Sequence, residues 1–550
     1  MANSAISPDF DAVVIGAGFA GLGMLWRLRE ELRMSVQVYE AGDGVGGTWY
    51  WNRYPGARCD SESYVYCFSF SKELLQDWNW SGKYPEQPEI LSYLNHVADR
   101  FDLRRNIQFN SRVTSAKFLE DANHWQLETD QGDRVTARFL ITGIGCISAG
   151  NVPDLPGLDC FEGDWYHTGS WPHEGVDFDG KRVAVIGTGS SGVQSIPVIA
   201  KEAKYLAVFQ RTPQYTIPAR HETVDRRFIE EEVKPNYEDI WEKARWSQSG
   251  FPVEASERSA LEVTAEERLE TYESLWAEGG FRFLHGSFKD IRTDVEANDT
   301  AAEFIRSKIR QIVRDQETVS KLLPTDHPLG SKRALIDTNY YETYNRVNVE
   351  LVDIRHSPIQ EITPRGIRTE DKEFEFDIIV FATGFDAMTG SFLRMDIRGR
   401  NGLSLKEKWS EGPRTYLGLQ VAGFPNMFMI TGPGSPSVLS NMPVAIEQHI
   451  EWIADFVEYL REHGIETAEA TLDAETEWVS HVNEVAEPTL YMLANSWYLG
   501  ANIPGKPRVF MPYAGGLGTY RERCNEIADN GYEGFTLGSG MRKRPKVTAS

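Results

Sequence analysis

The stretch FDAVVIGAGFAGL, residues 10–22, decides the fold class. An apolar run ends at Gly16, Gly18 and Gly21 complete a GxGxxG spacing, and a helix-forming segment then leads to a second apolar run, SVQVYE. In such a unit the first glycine makes a tight turn, the second lets the backbone approach a diphosphate, and the third lets helix and strand pack closely. The stretch therefore predicts a βαβ unit that binds a dinucleotide at the N-terminus of its helix.

A second stretch of the same design is KRVAVIGTGSSGV, residues 181–193. Gly187, Gly189 and Gly192 repeat the glycine spacing between another apolar run and another helix-forming segment. A glycine-rich turn without a ligand would not be expected to occur twice in the same setting. The two stretches together predict an α/β fold with two Rossmann-like dinucleotide-binding domains.

The second strands of the two units end in opposite charges. Glu40 and Arg211 stand at the same distance after the first glycine of their units. A carboxylate at this position accepts hydrogen bonds from ribose hydroxyls, whereas a guanidinium suits a 2′-phosphate. The first unit is therefore predicted to hold FAD and the second NADP(H), with a plain surface role for Arg211 as the alternative.

Composition excludes several classes of function. The 550 residues are enough for about two to four domains, and 57 basic against 81 acidic residues give a net charge of −24. This charge argues against binding nucleic acid or an anionic membrane surface. The five cysteines form no CxxC pair, so neither a zinc site nor a dithiol redox centre is expected. We find no signal peptide and no spanning segment, and we predict a cytoplasmic protein without a metal.

The texture of the chain predicts an interrupted domain order. Between His221 and Gly330 the sequence is charged and has helical periodicity, with Thr264/Glu267 and Thr300/Glu303 spaced as capping boxes and an apolar face that includes Ile305 and Ile309. The predicted division is an FAD domain in two parts, 1–146 and 382–540, an NADP domain in two parts, 147–222 and 331–381, a helical insertion, 223–330, and a flexible tail, 541–550.

Two nucleotide sites in one chain imply that electrons pass from a nicotinamide to a flavin. A disulfide reductase would need a cysteine pair beside the flavin, and the sequence has none. An enzyme that uses oxygen would need a site from which water is excluded and a cation near the developing negative charge.

Two further motifs carry a resemblance to a known family. The stretch GGTWYWNRYPGARCD, residues 46–60, and the stretch FEGDWYHTGSWP, residues 161–172, look like the paired fingerprints of type I Baeyer–Villiger monooxygenases. The second matches the pattern F-x-G-x-x-x-H-x-x-x-W-P at every fixed position. The resemblance runs from about residue 10 to about residue 535 and is nearest to the phenylacetone and steroid monooxygenase branch.

The resemblance implies an activity. Such enzymes use FAD, NADPH and O₂ to insert one oxygen atom next to a ketone carbonyl, giving an ester or lactone through a flavin peroxide and a tetrahedral adduct, with sulfoxidation as a side activity. The implied partner is a small hydrophobic ketone, and no obligatory protein partner is evident. An N- or S-oxygenating flavin monooxygenase is the nearer alternative, and a non-catalytic flavoprotein that responds to NADPH is the farther one.

The resemblance also implies site residues. Asp60 and Arg333 match the active-site pair of the family, in which a guanidinium beside the flavin stabilises negative charge and the carboxylate orients it. An ordinary ion pair between domains is the alternative. His167 matches a linker position and is not expected to be catalytic.

The remaining implied contacts fall into three groups. The FAD contacts are Gly16, Gly18, Gly21, Glu40, Gly46, Gly47, Thr48, Trp49, Arg58, Asp60 and Tyr66. The NADP contacts are Gly187, Thr188, Gly189, Ser190, Ser191, Gly192, Gln194, Arg211, Thr212, Lys332 and Trp497, the last on a mobile loop. The ketone pocket is expected to be formed by Cys146, Ile147, Ser437, Val438, Leu439 and Met442.

Overall fold

The structure is a computed structural model that describes residues 7–221 and 226–539. The predicted tail 541–550 and the predicted domain boundary at residues 222 and 223 lie outside the described residues. The strands are, in chain order, β1 Phe10–Ile15, β2 Val36–Tyr39, β3 Ile107–Gln108, β4 Val113–Leu119, β5 His124–Thr129, β6 Arg134–Thr142, β7 Asp164–His167, β8 Arg182–Ile186, β9 Tyr205–Gln210, β10 Thr216–Pro218, β11 Leu335–Asp337, β12 Val349–Asp353, β13 Ile359–Thr363, β14 Gly366–Thr369, β15 Glu373–Glu375, β16 Ile378–Phe381, β17 Asp396–Arg398, β18 Met427–Met429, β19 Ile465–Ala470 and β20 Phe535–Ser539.

Helices cover the sheets and fill the segment between β10 and β11. The α-helices are, in chain order, α1 Phe19–Trp26, α2 Thr48–Trp51, α3 Lys72–Asp77, α4 Gln87–Arg100, α5 Ser190–Glu202, α6 Tyr237–Trp246, α7 Ala265–Glu278, α8 Arg282–Gly286, α9 Val295–Ile312, α10 Gln316–Leu322, α11 Tyr340–Thr343, α12 Gly390–Leu393, α13 Leu405–Lys408, α14 Met442–Glu462, α15 Leu472–Ala486 and α16 Leu517–Asp529.

The first glycine-rich stretch forms the centre of the larger sheet. Its strands follow the order β17-β4-β5-β6-β1-β2-β3, with β18 also beside β6. Strand β1 runs parallel to both β2 and β6, with Val14 opposite Val38 on one side and Ile141 on the other. A strand between two parallel neighbours is buried on both faces, which explains its continuous apolar run. At Gly21 a Cβ would lie 1.7 Å from the Gly16 carbonyl oxygen, so only glycine fits there.

The second glycine-rich stretch repeats this arrangement in a smaller sheet. The order is β12-β9-β8-β16-β7, and all neighbours are parallel. The chain turns at Gly187, which has φ of +109°, and α5 starts at Ser190. Both predicted βαβ units and the predicted α/β fold class are therefore confirmed.

The segment between β10 and β11 is helical, and one of its two predicted capping boxes is wrong. At the start of α7 the Thr264 hydroxyl oxygen accepts from the Glu267 N–H at 3.2 Å, as predicted. Helix α9 begins five residues before Thr300, because Asp294 caps it by accepting from the Ala297 N–H at 2.9 Å. Small buried alanines extend the apolar face N-terminally, so Thr300 lies within the helix.

In the part of the chain that the structure describes, no helix combines the length and the apolar character that crossing a membrane requires. The five cysteines are free in the structure. Across residues 7–221 and 226–539, no three His, Cys, Asp or Glu side chains are grouped so as to hold a metal ion.

Candidate active site

Both glycine-rich turns open into one cavity of about 1140 Å³. Gly18 and Gly47 line it from the first unit, and Thr188 and Gly189 line it from the second. This follows from the fold, because the carboxyl ends of β1 and β8 both point to this space and parallel sheets carry ligand sites at that edge. Residues of the inserted helices and of the C-terminal loops complete the walls.

The turn after β1 offers unpaired backbone donors. Helix α1 has Gly18 at its N-cap and no side-chain cap, so its first N–H groups have no acceptor within the helix. Gly18 lies directly against Gly47, where a Cβ would come within 2.9 Å of the Gly18 Cα. Backbone donors and a positive helix end in a space without side chains fit a diphosphate.

The turn after β8 has the same character. Gly189 caps α5 without a side-chain hydrogen bond, and a Cβ on Gly189 would meet no atom within 4 Å. The backbone of Gly189 therefore borders open cavity rather than protein. On these observations the residues present fit one dinucleotide diphosphate at each turn.

A pair of cations stands beyond the second turn. Arg211 is exposed and makes no ion pair with the described residues. Lys332 is half-buried and lies close enough to Arg211 for the two positive charges to repel each other. Burial lowers the pKa of Lys332; Asp326 opposes this and Arg211 adds to it. The backbone next to Arg211 is fixed by Thr188, whose hydroxyl donates to the Thr212 carbonyl at 3.0 Å. Two neighbouring cations, Arg211 directly after β9 and Lys332 shortly before β11, fit a 2′-phosphate.

Arg333 and Asp60 form an ion pair on the cavity wall. The Arg333 Nη2 lies 3.2 Å from the Asp60 Oδ2, and the Arg333 Cζ lies 5.7 Å from the centroid of the Phe281 ring. The other Asp60 oxygen accepts from the Gln194 amide at 3.1 Å. Gln194 belongs to α5 and Asp60 follows α2, so the second unit fixes a carboxylate of the first.

Burial and mutual attraction act against each other on this pair, and the net pKa shift of each member is upward. Burial raises the pKa of Asp60, while Arg333 opposes that shift. Burial alone would lower the pKa of Arg333, but the attraction of Asp60 and its other neighbours outweighs it, and the net shift is upward. The Arg333 side chain lines the cavity and keeps 32% of its surface exposed, so it places a positive charge on the wall.

Comparison with known proteins shows the family of this chain. A family model described as flavin-binding monooxygenase-like matches residues 11–222. A Baeyer–Villiger monooxygenase of Pseudooceanicola batsensis is 48% identical over 529 residues, which cover 96% of each protein. The chain belongs to the Baeyer–Villiger monooxygenase family.

Further similarities extend over nearly the whole chain. A solved structure of an oxidized steroid monooxygenase bound to NADP is 52% identical, with a TM-score of 0.92, over 96% of this chain and 100% of that one. A phenazine N-monooxygenase of Lysobacter antibioticus is 46% identical over 532 residues, 96% of this chain and 97% of that one. The predicted enzyme class, the oxygenation of ketones to esters or lactones, and the cofactors FAD and NADP are confirmed.

Most of the expected FAD contacts of this Baeyer–Villiger monooxygenase lie on the cavity wall. Those that line it are Gly18, Gly46, Gly47, Thr48, Trp49, Arg58, Asp60 and Tyr66. Gly16 and Gly21 lie inside the turn, where they contact each other. Glu40 is buried behind it and accepts from the Ala17 and Gly42 N–H groups, both at 2.8 Å. Each Glu40 oxygen retains a lone pair for a ribose hydroxyl.

The expected NADP contacts also line the cavity, apart from Gly192, which packs against Gly187. They are Gly187, Thr188, Gly189, Ser190, Ser191, Gln194, Arg211, Thr212, Lys332 and Trp497. The Gln194 side chain is engaged by Asp60 and by the Tyr54 hydroxyl, which donates to it at 2.8 Å. His167 does not line the cavity; its Nε2 lies 3.1 Å from the Gly384 carbonyl oxygen.

Five of the six residues expected in the ketone pocket line the cavity: Cys146, Ile147, Val438, Leu439 and Met442. Ser437 does not. Its side chain is fully buried behind the wall, with its Oγ 3.0 Å from the Cys146 Sγ. Sequence order placed Ser437 on the loop but could not tell which side of the loop faces the space.

Other cavity residues were not expected from the sequence. Tyr498 is buried beside Arg333, and burial raises the pKa of its hydroxyl while Arg333 opposes that shift. The helical segment between β10 and β11 contributes Phe251, Phe281, Leu284, His285 and Arg292. The adjacent Gly279 and Gly280, which both have positive φ, directly precede Phe281, and a glycine pair is a local sequence signal for a turn.

Proposed function

We propose that FAD binds at the turn after β1, that NADPH binds at the turn after β8, and that Arg333 and Asp60 act on a hydrophobic ketone between them. The observation that carries this proposal is the position of the Arg333–Asp60 pair, on the wall of the one cavity into which both turns open. In the same proposal, the FAD domain comprises residues 1–146 and 382–540, and the NADP domain comprises residues 147–222 and 331–381.

The FAD site rests on backbone and aromatic contacts. Gly18 and Gly47 pack against each other on the cavity wall, where their backbone can approach the diphosphate. The Trp49 indole N–H donates to the Tyr66 hydroxyl at 3.2 Å, which fixes both rings beside the cavity. Arg58 reaches the wall with its Nη2 paired to Glu86 at 2.7 Å. FAD, when bound, takes hydride from NADPH and activates O₂.

Arg333 stabilises the negative charge that develops on oxygen during the reaction. When the ketone carbonyl is attacked, its oxygen becomes anionic, and a preorganised guanidinium in a site from which water is excluded lowers the free energy of that state. Asp60 is a positioning residue as well as a counterion, because Gln194 holds it while it holds Arg333. Apolar side chains such as Ile147, Leu439 and Met442 exclude water and suit a hydrophobic substrate.

We further propose a cytoplasmic enzyme that acts on small molecules without an obligatory protein partner. The net charge of −24 supports the absence of nucleic-acid binding. The described residues supply both turns and the ion pair from one chain, which supports activity without a partner subunit.

The test is the variant Arg333→Ala, assayed with NADPH, O₂ and a panel of ketones. Loss of an oxyanion-stabilising donor costs about a hundredfold or more in kcat. We expect FAD content equal to that of the wild type and ester formation reduced at least this far. An Arg310→Gln variant, altered at an exposed position of α9, is the control. Wild-type ester turnover in a flavin-loaded Arg333→Ala protein would remove the role of Arg333.

N-oxygenation is a second candidate, favoured by the similarity to a phenazine N-monooxygenase. The same fold and the same dinucleotide turns would serve it, so the fold does not separate the two reactions. Parallel assays with ketones and with heteroaromatic amines do, since only the ketone reaction yields an ester.

A further inference from the structure

One cation on the cavity wall has no role in the proposed function. The cations that line the cavity are Arg58, Arg211, Arg292, Lys332 and Arg333. Arg58 and Arg333 each pair with a carboxylate. Arg211 and Lys332 belong to the proposed 2′-phosphate site, which leaves Arg292. Arg292 makes no ion pair with any carboxylate in residues 7–221 and 226–539, including Asp154 on the same wall. Its charge is therefore unbalanced by the described protein.

Neighbouring polar groups accept hydrogen bonds from only some of the N–H donors of the Arg292 guanidinium. It donates one hydrogen bond to the Gln248 side-chain oxygen and lies beside the Tyr491 hydroxyl. Burial raises the pKa of Tyr491, which Arg292 opposes, so the phenol keeps its proton and remains a donor at neutral pH. A guanidinium has five N–H donors, so most of the Arg292 donors remain available to a ligand.

An apolar path joins Arg292 to the reacting end of the cavity. The Phe281 ring lies 5.7 Å from the Arg333 Cζ and 5.9 Å from the His285 ring, and the Phe251 ring stacks on His285 at 5.7 Å. Burial against these rings, together with Arg292, lowers the pKa of His285 to about 3, so this histidine is uncharged. Arg292, with Gln248 and Tyr491 beside it, is thus a positive charge at the end of a row of aromatic rings that leads to Arg333.

We propose that Arg292 binds a carboxylate on the substrate, so that the ketone class taken by this enzyme is a keto acid whose apolar body lies along Phe281 and Phe251. This inference rests on the proposed function, in which the ketone carbonyl is at Arg333. A guanidinium recognises a carboxylate through two parallel hydrogen bonds.

The test compares acid and ester forms of the same ketone. The substrates are (4-oxocyclohexyl)alkanoic acids of increasing chain length and their methyl esters, and the measured quantity is the ratio of kcat/KM for each acid to that for its ester. We expect the wild type to prefer the acid at one or more chain lengths. Arg292→Gln should lower that ratio about tenfold, Arg292→Lys should lower it less, and Arg310→Gln, outside the cavity, should leave it unchanged.

Two results would overturn the proposal. One is a wild-type enzyme without acid preference at any chain length; the other is a ratio that Arg292→Gln leaves within twofold of wild type. If Arg292→Gln fails to retain FAD, Arg292→Lys carries the comparison. Calorimetric binding of the acids to the enzyme with FAD and NADP⁺ separates this proposal from the proposed function. Acid binding that depends on Arg292 without any ketone turnover would support the site and refute the reaction, and binding indifferent to Arg292 would refute the site.

Discussion

Arg211 and Glu40 show what a single residue can decide in this fold. Each ends the second strand of its βαβ unit, and their opposite charges predict different dinucleotides at two otherwise similar turns. The structure places Arg211 on the cavity wall beside Lys332, and it places Glu40 behind the first turn with backbone N–H groups bound to both of its oxygens. The two residues therefore differ in their environment: Arg211 is an exposed cation, whereas Glu40 is a buried hydrogen-bond acceptor fixed by the backbone.

Replacing Arg211 by Gln tests this reading of the second site. The guanidinium is exposed, so its hydrogen bonds to a phosphate should contribute about tenfold in affinity rather than more. We expect KM for NADPH to rise about tenfold while KM for NADH stays near its wild-type value, since NADH lacks the 2′-phosphate. Equal increases for both nucleotides, measured by steady-state kinetics, would show that Arg211 does not recognise that phosphate.

The helices α5 and α9 mark the limits of sequence patterns at the scale of elements. Helix α5 begins where its glycine spacing predicts, because the turn geometry at Gly187 admits few alternatives. Helix α9 begins earlier than its Thr300/Glu303 spacing suggests, because Asp294 offers a competing cap and buried alanines continue the apolar face. A capping-box pattern therefore predicts the first residue of a helix only where no other capping residue lies upstream of it.

The two glycines at the start of α5 should respond differently to alanine. At Gly187 a Cβ would lie 2.4 Å from the Ala382 carbonyl oxygen and φ is positive, so Gly187→Ala should destabilise folding by about 1–3 kcal/mol. At Gly189 φ is −77° and a Cβ would meet nothing. Gly189→Ala should leave the free energy of unfolding within about 0.5 kcal/mol of wild type.

The same Gly189→Ala change should weaken NADPH binding about tenfold, because the new methyl group occupies the space beside the proposed diphosphate. Denaturant unfolding and nucleotide titration of both variants make the comparison. A Gly189→Ala protein that binds NADPH as tightly as wild type would place the dinucleotide elsewhere.

The cavity shows why the whole site could not be predicted from the sequence. Its glycine turns were predictable because each is a local signal, and Asp60 and Arg333 were accessible only through family resemblance. Tyr498, Phe281 and Arg292 come from segments far apart in sequence, and only tertiary packing shows that they meet. Ser437 illustrates the converse, a residue on the expected loop that faces away from the space.

At the scale of the molecule, two βαβ units, a helical insertion and the C-terminal loops enclose one space with a permanent cation on its wall. In the proposed function, this arrangement brings a nicotinamide site, a flavin site and an oxyanion-stabilising group together, while apolar side chains limit the access of water.

The measurement that tests this account most directly uses the FAD-loaded enzyme, NADPH and ¹⁸O₂ with aryl, cyclic, steroid and carboxylate-bearing ketones, and heteroaromatic amines in parallel. Products are identified by mass spectrometry. The account predicts that a ketone is converted to an ester or lactone that carries one heavy oxygen atom. Labelled N-oxides formed from the amines, with no labelled ester from any ketone, would contradict it.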